Sequence, residues 1–333
     1  MNKFEIFKKE ISNEYTHEIP IHLSPSTLFR SRCEFGFSNG RYVMYKDKEK
    51  VYMKSFSVAA SAIKKVMPIL LNEIKNSDIV RKKLFQINFR SNNRNKLLVT
   101  FIYHKEITES LILKIDEISK KMNISVLIRS RKFVYPSEIF YLEEKINNIR
   151  LFQTDLSFYQ PNKFLLEMMI EKIHSLIDKP NDLLELYCGI GTFTLSLSKK
   201  FENIFATENN RQSMKCLEKA IKENHIKNIS KARLSAEELN DAFNGKNFNR
   251  MKDIDLNNFN FSHVLVDPPR SGLSDDVINL ISEFSNIIYV SCNPKTYIED
   301  IKKLKKHNIN KIEIFDQFPN TNHMELVSLL TSN

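Results

Sequence analysis

The chain of 333 residues is 42% hydrophobic, which is enough apolar material for two ordinary cores and excludes a disordered polypeptide. No stretch of eighteen apolar residues occurs, and the first ten residues mix charges with Phe and Ile, so we expect a cytoplasmic protein without a membrane span or export signal. A net charge of +10 suits a polyanionic partner, and four cysteines without a Cys-x-x-Cys pair disfavour a zinc site or a disulfide framework.

The positive charge is concentrated in the first half of the chain. Residues 1–150 contain 28 Lys and Arg against 16 Asp and Glu, a net charge of +12, whereas residues 151–333 contain 22 against 24, a net charge of −2. A bias of genomic composition would act on both halves. The asymmetry therefore favours a basic RNA-binding region at 1–150, followed by a second domain at 151–333.

The first half reads as a mixed α+β region. Apolar or alternating runs predict strands at 83–89, 96–104 and 124–129, and a helix is expected at 59–74. Basic residues in this region are interleaved with Phe, and a nucleic-acid base stacks on an aromatic ring while a cation neutralises its phosphate. Ordinary alternation of inward aromatics and outward charges remains the alternative.

From about residue 160, short apolar strands alternate with helices, which predicts a mainly parallel, Rossmann-like α/β sheet. Seven strands are expected, at 182–187, 203–207, 229–234, 263–266, 287–290, 311–316 and 324–330. The helices are expected at 161–177, from the turn after the first strand to 200, and at 211–224, 275–284 and 294–307. No helix separates the last two strands, so the final strand should be antiparallel.

A Gly-x-Gly turn follows the strand 182–187 and opens a helix, which places free backbone N–H groups and close backbone approach at one point. Glu208, 23 positions after Glu185, ends the next strand, where a carboxylate can accept both hydroxyl hydrogens of a ribose. The third glycine of a dinucleotide-binding turn is absent. S-adenosylmethionine, which has a ribose but no phosphate, therefore fits better than a dinucleotide.

Polar groups follow three further strand ends. Asp267 begins Asp-Pro-Pro-Arg-Ser-Gly, Cys292 lies in Ser-Cys-Asn-Pro, and the antiparallel last strand starts near Glu325. In a wound sheet these ends share one rim with the Gly-x-Gly turn. The sequence therefore predicts a thiol and a carboxyl beside the cofactor, although each residue alone could serve packing, helix capping or the surface.

A thiol and a carboxyl together suit methylation of carbon 5 of uracil. Thiolate addition to carbon 6 makes carbon 5 nucleophilic, and a base must later remove the proton from carbon 5 so that the cysteine can leave. Cys292 fits the nucleophile, particularly if Arg270 lowers its pKa, and Glu325 fits the base.

The chain resembles the RNA uracil-5-methyltransferases, particularly their tRNA-modifying bacterial members. The resemblance rests on the motifs FYQPN, LELYCG, VDPPRSGL, SCNP and FDQFP at 158–162, 184–189, 266–273, 291–294 and 315–319, and extends to 29–35, 83–87 and 103–105. It implies that Cys292 is the nucleophile and Glu325 the proton acceptor. The S-adenosylmethionine contacts it implies are Gln160, Tyr187, Gly189, Thr192, Glu208 and Asp267.

The resemblance also implies a substrate. Related ribosomal RNA enzymes carry a four-cysteine iron–sulfur site, whereas the first half here has only Cys33, so we expect no cluster and no metal. The implied partner is the T-arm of tRNA, whose uridine at tRNA position 54 must be flipped out, and the enzyme is expected to be a monomer. Candidate RNA contacts are Arg30, Arg32, Phe85 and Arg270.

Two positions depart from the family pattern: Thr192, where Asn is common, and Gly36, where Arg is common. Three alternatives stay open at this point. They are methylation of ribosomal RNA, methylation of an exocyclic amino group, which needs no cysteine, and an RNA-folding or RNA-binding module in which catalysis is secondary.

Overall fold

Two large β-sheets organise the chain in the computed structural model, which describes residues 2–46 and 48–332. The elements of the first half are α1 (Lys3–Glu10), β1 (Ile21–His22), β2 (Arg32–Ser38), β3 (Arg41–Lys46), β4 (Glu49–Met53), α2 (Ser61–Lys75), α3 (Asp78–Arg81), β5 (Leu84–Ser91), β6 (Leu97–Tyr103), α4 (Glu109–Met122), β7 (Ser125–Ser130), β8 (Phe133–Tyr135), β9 (Leu142–Ile146) and β10 (Ile149–Gln153).

The elements of the second half are α5 (Leu166–Leu176), β11 (Asp182–Leu186), α6 (Thr192–Leu197), β12 (Ile204–Thr207), α7 (Arg211–Glu223), β13 (Ile229–Ala232), α8 (Ala236–Phe243), β14 (Phe261–Val266), α9 (Asp275–Ile281), β15 (Asn286–Ser291), α10 (Pro294–Lys303), β16 (His307–Phe315) and β17 (Glu325–Ser332). Two short 3-10 turns, Asn249–Met251 and Leu256–Asn258, lie between α8 and β14.

The N-terminal sheet has seven strands in the order β4-β3-β2-β5-β6-β7-β8. The three strands and the helix predicted for this region are present as β5, β6, β7 and α2, each within two residues of its expected bounds. One apolar face of α2 packs on this sheet, since Ile63, Met67 and Leu70 are fully buried among the strand residues. The predicted mixed α+β region is therefore confirmed.

The second sheet has the strand order β1-β16-β17-β15-β14-β11-β12-β13, and β17 is antiparallel to both of its neighbours. The Rossmann-like fold and the antiparallel last strand are confirmed. The sheet has eight strands, not the expected seven, because β1 pairs in parallel with β16. A two-residue strand is too short to show a period of two in the sequence.

Residues 3–22 pack with the second half of the chain, although the predicted division placed them in the N-terminal region. Phe7, Ile11 and Ile19 are buried in the same core as Leu184 and Val264. The hydrophobic residues before β1 thus cover one face of the second sheet.

Alternate residues of the parallel strands enter two cores on opposite faces of the sheet. Leu183 and Leu265 face one core, whereas Leu184 and Val264 face the other. Burial on both faces explains why these strands are nearly continuous apolar runs.

The helix predicted at 161–177 begins only at Leu166. The preceding residues make contacts outside the helix: the Pro161 carbonyl accepts hydrogen bonds from the backbone and hydroxyl of Ser31, and the Asn162 amide donates to the Gln317 carbonyl. Tertiary contacts therefore replace the first helical turn. None of the helices described for residues 2–46 and 48–332 combines the length and apolar content that crossing a membrane requires.

Candidate active site

Three acidic or aromatic side chains stand side by side where parallel strands end. Leu186 of β11 is aligned with Thr207 of β12 and with Val266 of β14. The next residue on each strand is Tyr187, Glu208 or Asp267. The register of the sheet therefore brings together three residues separated by up to 80 positions, as the sequence predicted.

Cys292 and Glu325 lie opposite each other at the same rim. In the antiparallel pairing of β15 with β17, Ser291 is aligned with Leu326. One further step along both strands places Cys292 against Glu325, and both side chains line one cleft. The predicted juxtaposition of these two residues is present.

The cleft has a volume of about 720 Å³ and lies between the two sheets. Ten of the predicted site residues line it: Arg30, Arg32, Gln160, Tyr187, Gly189, Glu208, Asp267, Arg270, Cys292 and Glu325. The N-terminal sheet region contributes wall residues that the sequence did not predict: Cys33, Glu34, Phe35, Met44 and Phe56. The segment between β10 and α5 contributes Phe158, and the loop between β16 and β17 contributes Phe318. The two sheets therefore supply opposite walls of one site.

Two predicted residues lie outside the lining of this cleft. Thr192 is buried as the first residue of α6, and its carbonyl accepts a hydrogen bond from Ser196 at 2.7 Å. Phe85 is 47% exposed and stacks on His104 with ring centroids 3.9 Å apart, at the edge of a separate groove that also contains Gly36. Phe85 thus presents an open aromatic face on the N-terminal sheet.

The turn after β11 is built from left-handed backbone. Gly189 and Gly191 have φ of 58° and 87°, and a Cβ at Gly191 would lie 2.4 Å from Leu217 Cδ1, so a side chain is excluded there. A Cβ at Gly189 would meet nothing within 4 Å, because this residue faces the open cleft. The Gly189 N–H donates to Glu208 Oε2 at 3.1 Å, which joins the turn to the end of β12.

Burial and the neighbouring carboxyls act on the pKa of the Cys292 thiol in the opposite direction to the Arg270 guanidinium. Burial, followed by the nearby carboxyls of Glu325 and Asp267, raises the pKa of the thiol to about 11. The Arg270 guanidinium lowers the pKa through its charge and a hydrogen bond to the thiol, as predicted, but it does not outweigh burial. The pKa of the thiol as a whole is therefore raised, although Arg270 acts in the direction considered from the sequence.

The carboxyls at the rim favour their protonated forms. Burial raises the pKa of Glu325, and the neighbouring Asp267 raises it further. Burial also raises the pKa of Asp267, with a smaller contribution from Glu208. Glu325 is 1% exposed, and within the described part of the chain its Oε2 has no hydrogen-bond partner, so Glu325 is not a surface strand residue.

Arg270 is held in place through its backbone. Asn293 Nδ2 donates to the Arg270 carbonyl at 2.8 Å, and Thr296 Oγ1 approaches the same oxygen at 3.4 Å. Asn293 also caps α10 through its Oδ1. The residue next to Cys292 thereby determines where the arginine lies relative to the thiol.

A second cleft of about 430 Å³ continues from the first beyond Tyr187 and Glu208. Its further walls are Leu234, Ser235, Ala236 and Glu237, together with residues 271–274. Sequence reasoning missed this wall, although the Ser-x-x-Glu capping pattern at Ser235 marked a helix start after β13. No group of three or more His, Cys, Asp or Glu suited to a metal ion occurs in the described part of the chain.

The wound sheet with an antiparallel last strand and a cleft at its carboxyl rim defines a Rossmann-like methyltransferase. The same fold is seen in the Pyrococcus abyssi tRNA (uracil-54, C5)-methyltransferase in complex with S-adenosyl-L-homocysteine, with a TM-score of 0.78 over 99% of this chain and 83% of that one, at 19% sequence identity.

Sequence relatives specify the family. The family model of tRNA (Uracil-5-)-methyltransferase matches residues 1–333. The tRNA/tmRNA (uracil-C(5))-methyltransferase of Campylobacter lari is 42% identical over 97% of this chain and 96% of its own, and the protein of that name from Saccharophagus degradans is 38% identical over 99% and 94%. The chain therefore belongs to the tRNA (uracil-5-)-methyltransferase family, which confirms the resemblance predicted from its motifs.

Proposed function

We propose that the protein transfers a methyl group from S-adenosylmethionine to carbon 5 of the T-arm uridine of tRNA in the cleft between its sheets. The observation that supports this most directly is the opposed pair of Cys292 and Glu325, aligned by the register of β15 and β17. Direct methylation of an amino group would need neither residue.

The residues present fit S-adenosylmethionine. Gly189 leaves open space beside the backbone, and Glu208 offers a carboxylate where a ribose can donate its hydroxyls. A dinucleotide fits less well, because the turn lacks the third glycine that close approach of a pyrophosphate requires. The residues that would hold the cofactor are Gln160, Tyr187, Gly189, Glu208 and Asp267, with Thr192 supporting the turn from within α6, and the bound cofactor supplies the methyl group.

Cys292 starts the reaction on the uracil. Its thiol must first lose its proton to solvent water, and the Arg270 guanidinium favours the thiolate. The sulfur then forms a bond to carbon 6, and the electron pair of the C5=C6 bond moves toward the carbonyl oxygen at carbon 4. Carbon 5 becomes a nucleophile only while this bond exists.

Glu325 completes the reaction. Glu325 must be ionised at this point, and once carbon 5 bears both a methyl group and a hydrogen, its carboxylate takes that hydrogen as a proton. The electrons of the C5–H bond restore the C5=C6 bond, and the C6–S bond breaks with release of the Cys292 thiolate. The raised pKa of Glu325 suits a group that must accept a proton inside a buried site.

The N-terminal sheet is proposed to bind the RNA. Arg30 and Arg32 line the wall that faces Cys292, and Arg270 lies beside the thiol. Outside the cleft, Phe85 stacks on His104, which lines a groove of about 1050 Å³ together with Lys105, Arg129, Arg131, Lys132 and Phe133. Cations interleaved with exposed rings suit a rearranged, partly single-stranded loop. We further propose that the enzyme is cytoplasmic and acts as a monomer.

The test is mass spectrometry of nucleosides after incubation with methyl-labelled S-adenosylmethionine and unmodified tRNA. Wild-type protein is expected to form 5-methyluridine at the T-loop uridine, and tRNA with cytidine at that position should stay unmodified. Cys292→Ala should abolish the product, because the other thiol of the cleft wall, Cys33, is 2% exposed and lies on the N-terminal sheet, away from the rim that holds Glu325. Cys216→Ala, which changes a buried thiol outside the cleft, is the matched control.

Each alternative function has its own outcome. Product from Cys292→Ala would point to amino-group methylation, and product on a ribosomal RNA transcript but not on tRNA would change the substrate. Transcripts containing 5-fluorouracil should be trapped as a covalent complex, because fluorine cannot leave as the proton does. Binding of tRNA without either product or complex would leave an RNA-binding module.

A further inference from the structure

The side chain of Lys3 contacts the loop that shapes one wall of the cleft. This loop, residues 316–324, joins β16 to β17, contains Phe318 and is followed directly by Glu325. Lys3 Nζ donates to Asp316 Oδ1 at 2.6 Å, to the Phe318 carbonyl at 3.2 Å and to the His323 carbonyl at 2.8 Å. The contacts reach the beginning, the middle and the end of the loop.

The Lys3 ammonium group makes its hydrogen bonds to this loop. It has three N–H donors, and all three are used on loop residues. Only 13% of the Lys3 side chain is exposed, against 12% for Asp316. Because two of the three acceptors are backbone carbonyls, Lys3 fixes the path of the main chain as well as pairing with a charge.

Helix stability does not explain a lysine at this position. Lys3 is the first residue of α1, where the helix dipole disfavours a cation, and the helix start is already satisfied by a capping box between Asn2 and Glu5. The helix is anchored by Phe7, which is 1% exposed in the core beneath the sheet. An anchored helix thus presents a fixed cation to the loop.

We propose that Lys3 is a positioning residue of the methyl-transfer site, which holds the loop 316–324 in place so that Phe318 and Glu325 keep their positions opposite Cys292. This inference rests on the proposed function, since the step it serves is the proton removal assigned to Glu325. Lys3 acts through the loop and does not itself reach the uracil.

The expected defect is specific to one step. When the loop moves, Glu325 no longer reaches the hydrogen on carbon 5, so the C5–H bond persists and the C6–S bond to Cys292 cannot break. The methylated RNA then stays covalently attached to the protein. Binding of RNA is assigned mainly to the N-terminal sheet, so we expect it to change little when the loop moves.

The experiment compares Lys3→Met, Lys3→Arg and Lys9→Met with the wild type. Lys9 is an exposed lysine of the same helix and provides the matched control. For Lys3→Met we expect kcat to fall by about tenfold to a hundredfold, the loss typical of a misplaced catalytic group, with KM for tRNA changed less than about twofold. A denaturation-resistant complex of protein and methylated tRNA should accumulate. Lys3→Arg should recover part of kcat, and Lys9→Met should match the wild type.

Hydrogen exchange of the RNA-free protein separates this proposal from the proposed function. Backbone amides at 317–324 should exchange faster in Lys3→Met than in the wild type or in Lys9→Met, whether or not the protein methylates RNA. The proposal is wrong if Lys3→Met exchanges these amides at the wild-type rate or keeps the wild-type kcat. It is also wrong if kcat falls without accumulation of the covalent complex. If Lys3→Met is too unstable to assay, Asp316→Asn removes the ion pair from the loop side and is judged by the same measurements.

Discussion

Removal of the Arg270 guanidinium should make the Cys292 thiol less reactive. The arginine lowers the pKa of this thiol through its charge and through a hydrogen bond, against burial and two carboxyls that together raise it to about 11. A hydrogen bond to a charged group contributes about 1.5–3 kcal/mol. Because Arg270 is exposed to solvent, we expect a contribution just below that range, about 1.4 kcal/mol or one pKa unit. Arg270→Met should therefore contain about tenfold less thiolate at any pH below 10.

Alkylation by iodoacetamide measures this effect without RNA or cofactor. Cys33, Cys188 and Cys216 are buried, so the native protein should react first at Cys292, and intact mass gives the rate. Between pH 7 and 9 the wild-type rate should rise about tenfold per pH unit, with the rate of Arg270→Met about tenfold lower throughout. Arg211→Met, an exposed arginine on α7, is the control. Equal or faster alkylation of Arg270→Met would refute the assigned role of the arginine.

Two further predictions concern stability and RNA binding. Glu185 is 1% exposed, and burial raises the pKa of its carboxyl from 4.5 to about 8. At a pH between 4.5 and 8, the folded protein therefore holds a proton on Glu185 that the unfolded chain releases. The wild type should lose stability as the pH rises from about 4.5 to about 8. Thermal unfolding should show a smaller fall in Tm over this range for Glu185→Gln, and parallel curves would contradict the prediction. Replacing Arg131 and Lys132 of the groove by Ala should weaken tRNA binding. The slope of the logarithm of the binding constant against the logarithm of the salt concentration should become shallower by about 1.5 to 2. Replacing the exposed pair Lys302 and Lys305 by Ala is the control and should leave binding and slope unchanged. Filter binding at several salt concentrations checks this, and an unchanged slope would remove the groove from the RNA interface.

The convergence of Cys292 and Glu325 was predictable because it follows from topology alone. Parallel strands end at one rim, and a strand that returns without a helix begins at that rim. The register aligns Ser291 with Leu326, as this topology requires. The Gly-x-Gly turn and Glu208 followed from the same rule.

Features that depend on distant neighbours were not predictable. The direction of the thiol pKa required knowledge that Glu325 and Asp267 lie near Cys292 in a buried site. Phe35 and Met44 of the N-terminal sheet line the cleft, but nothing in the local sequence distinguishes them from apolar strand residues that face a core. The helix at 161–177 was predicted too long because hydrogen bonds from Ser31 and to Gln317 decide where it starts.

The pairing of β1 with β16 has a consequence for how the protein is made. Ile21 is aligned with Ile314, and β17 inserts between β16 and β15 only after both have been synthesised. During translation, the apolar residues Phe7 and Ile19 therefore emerge long before the remaining strands that complete their core. The core that holds these residues is therefore completed only after β16 and β17 have been made, which makes the catalytic half rich in contacts between distant parts of the chain and slow to fold.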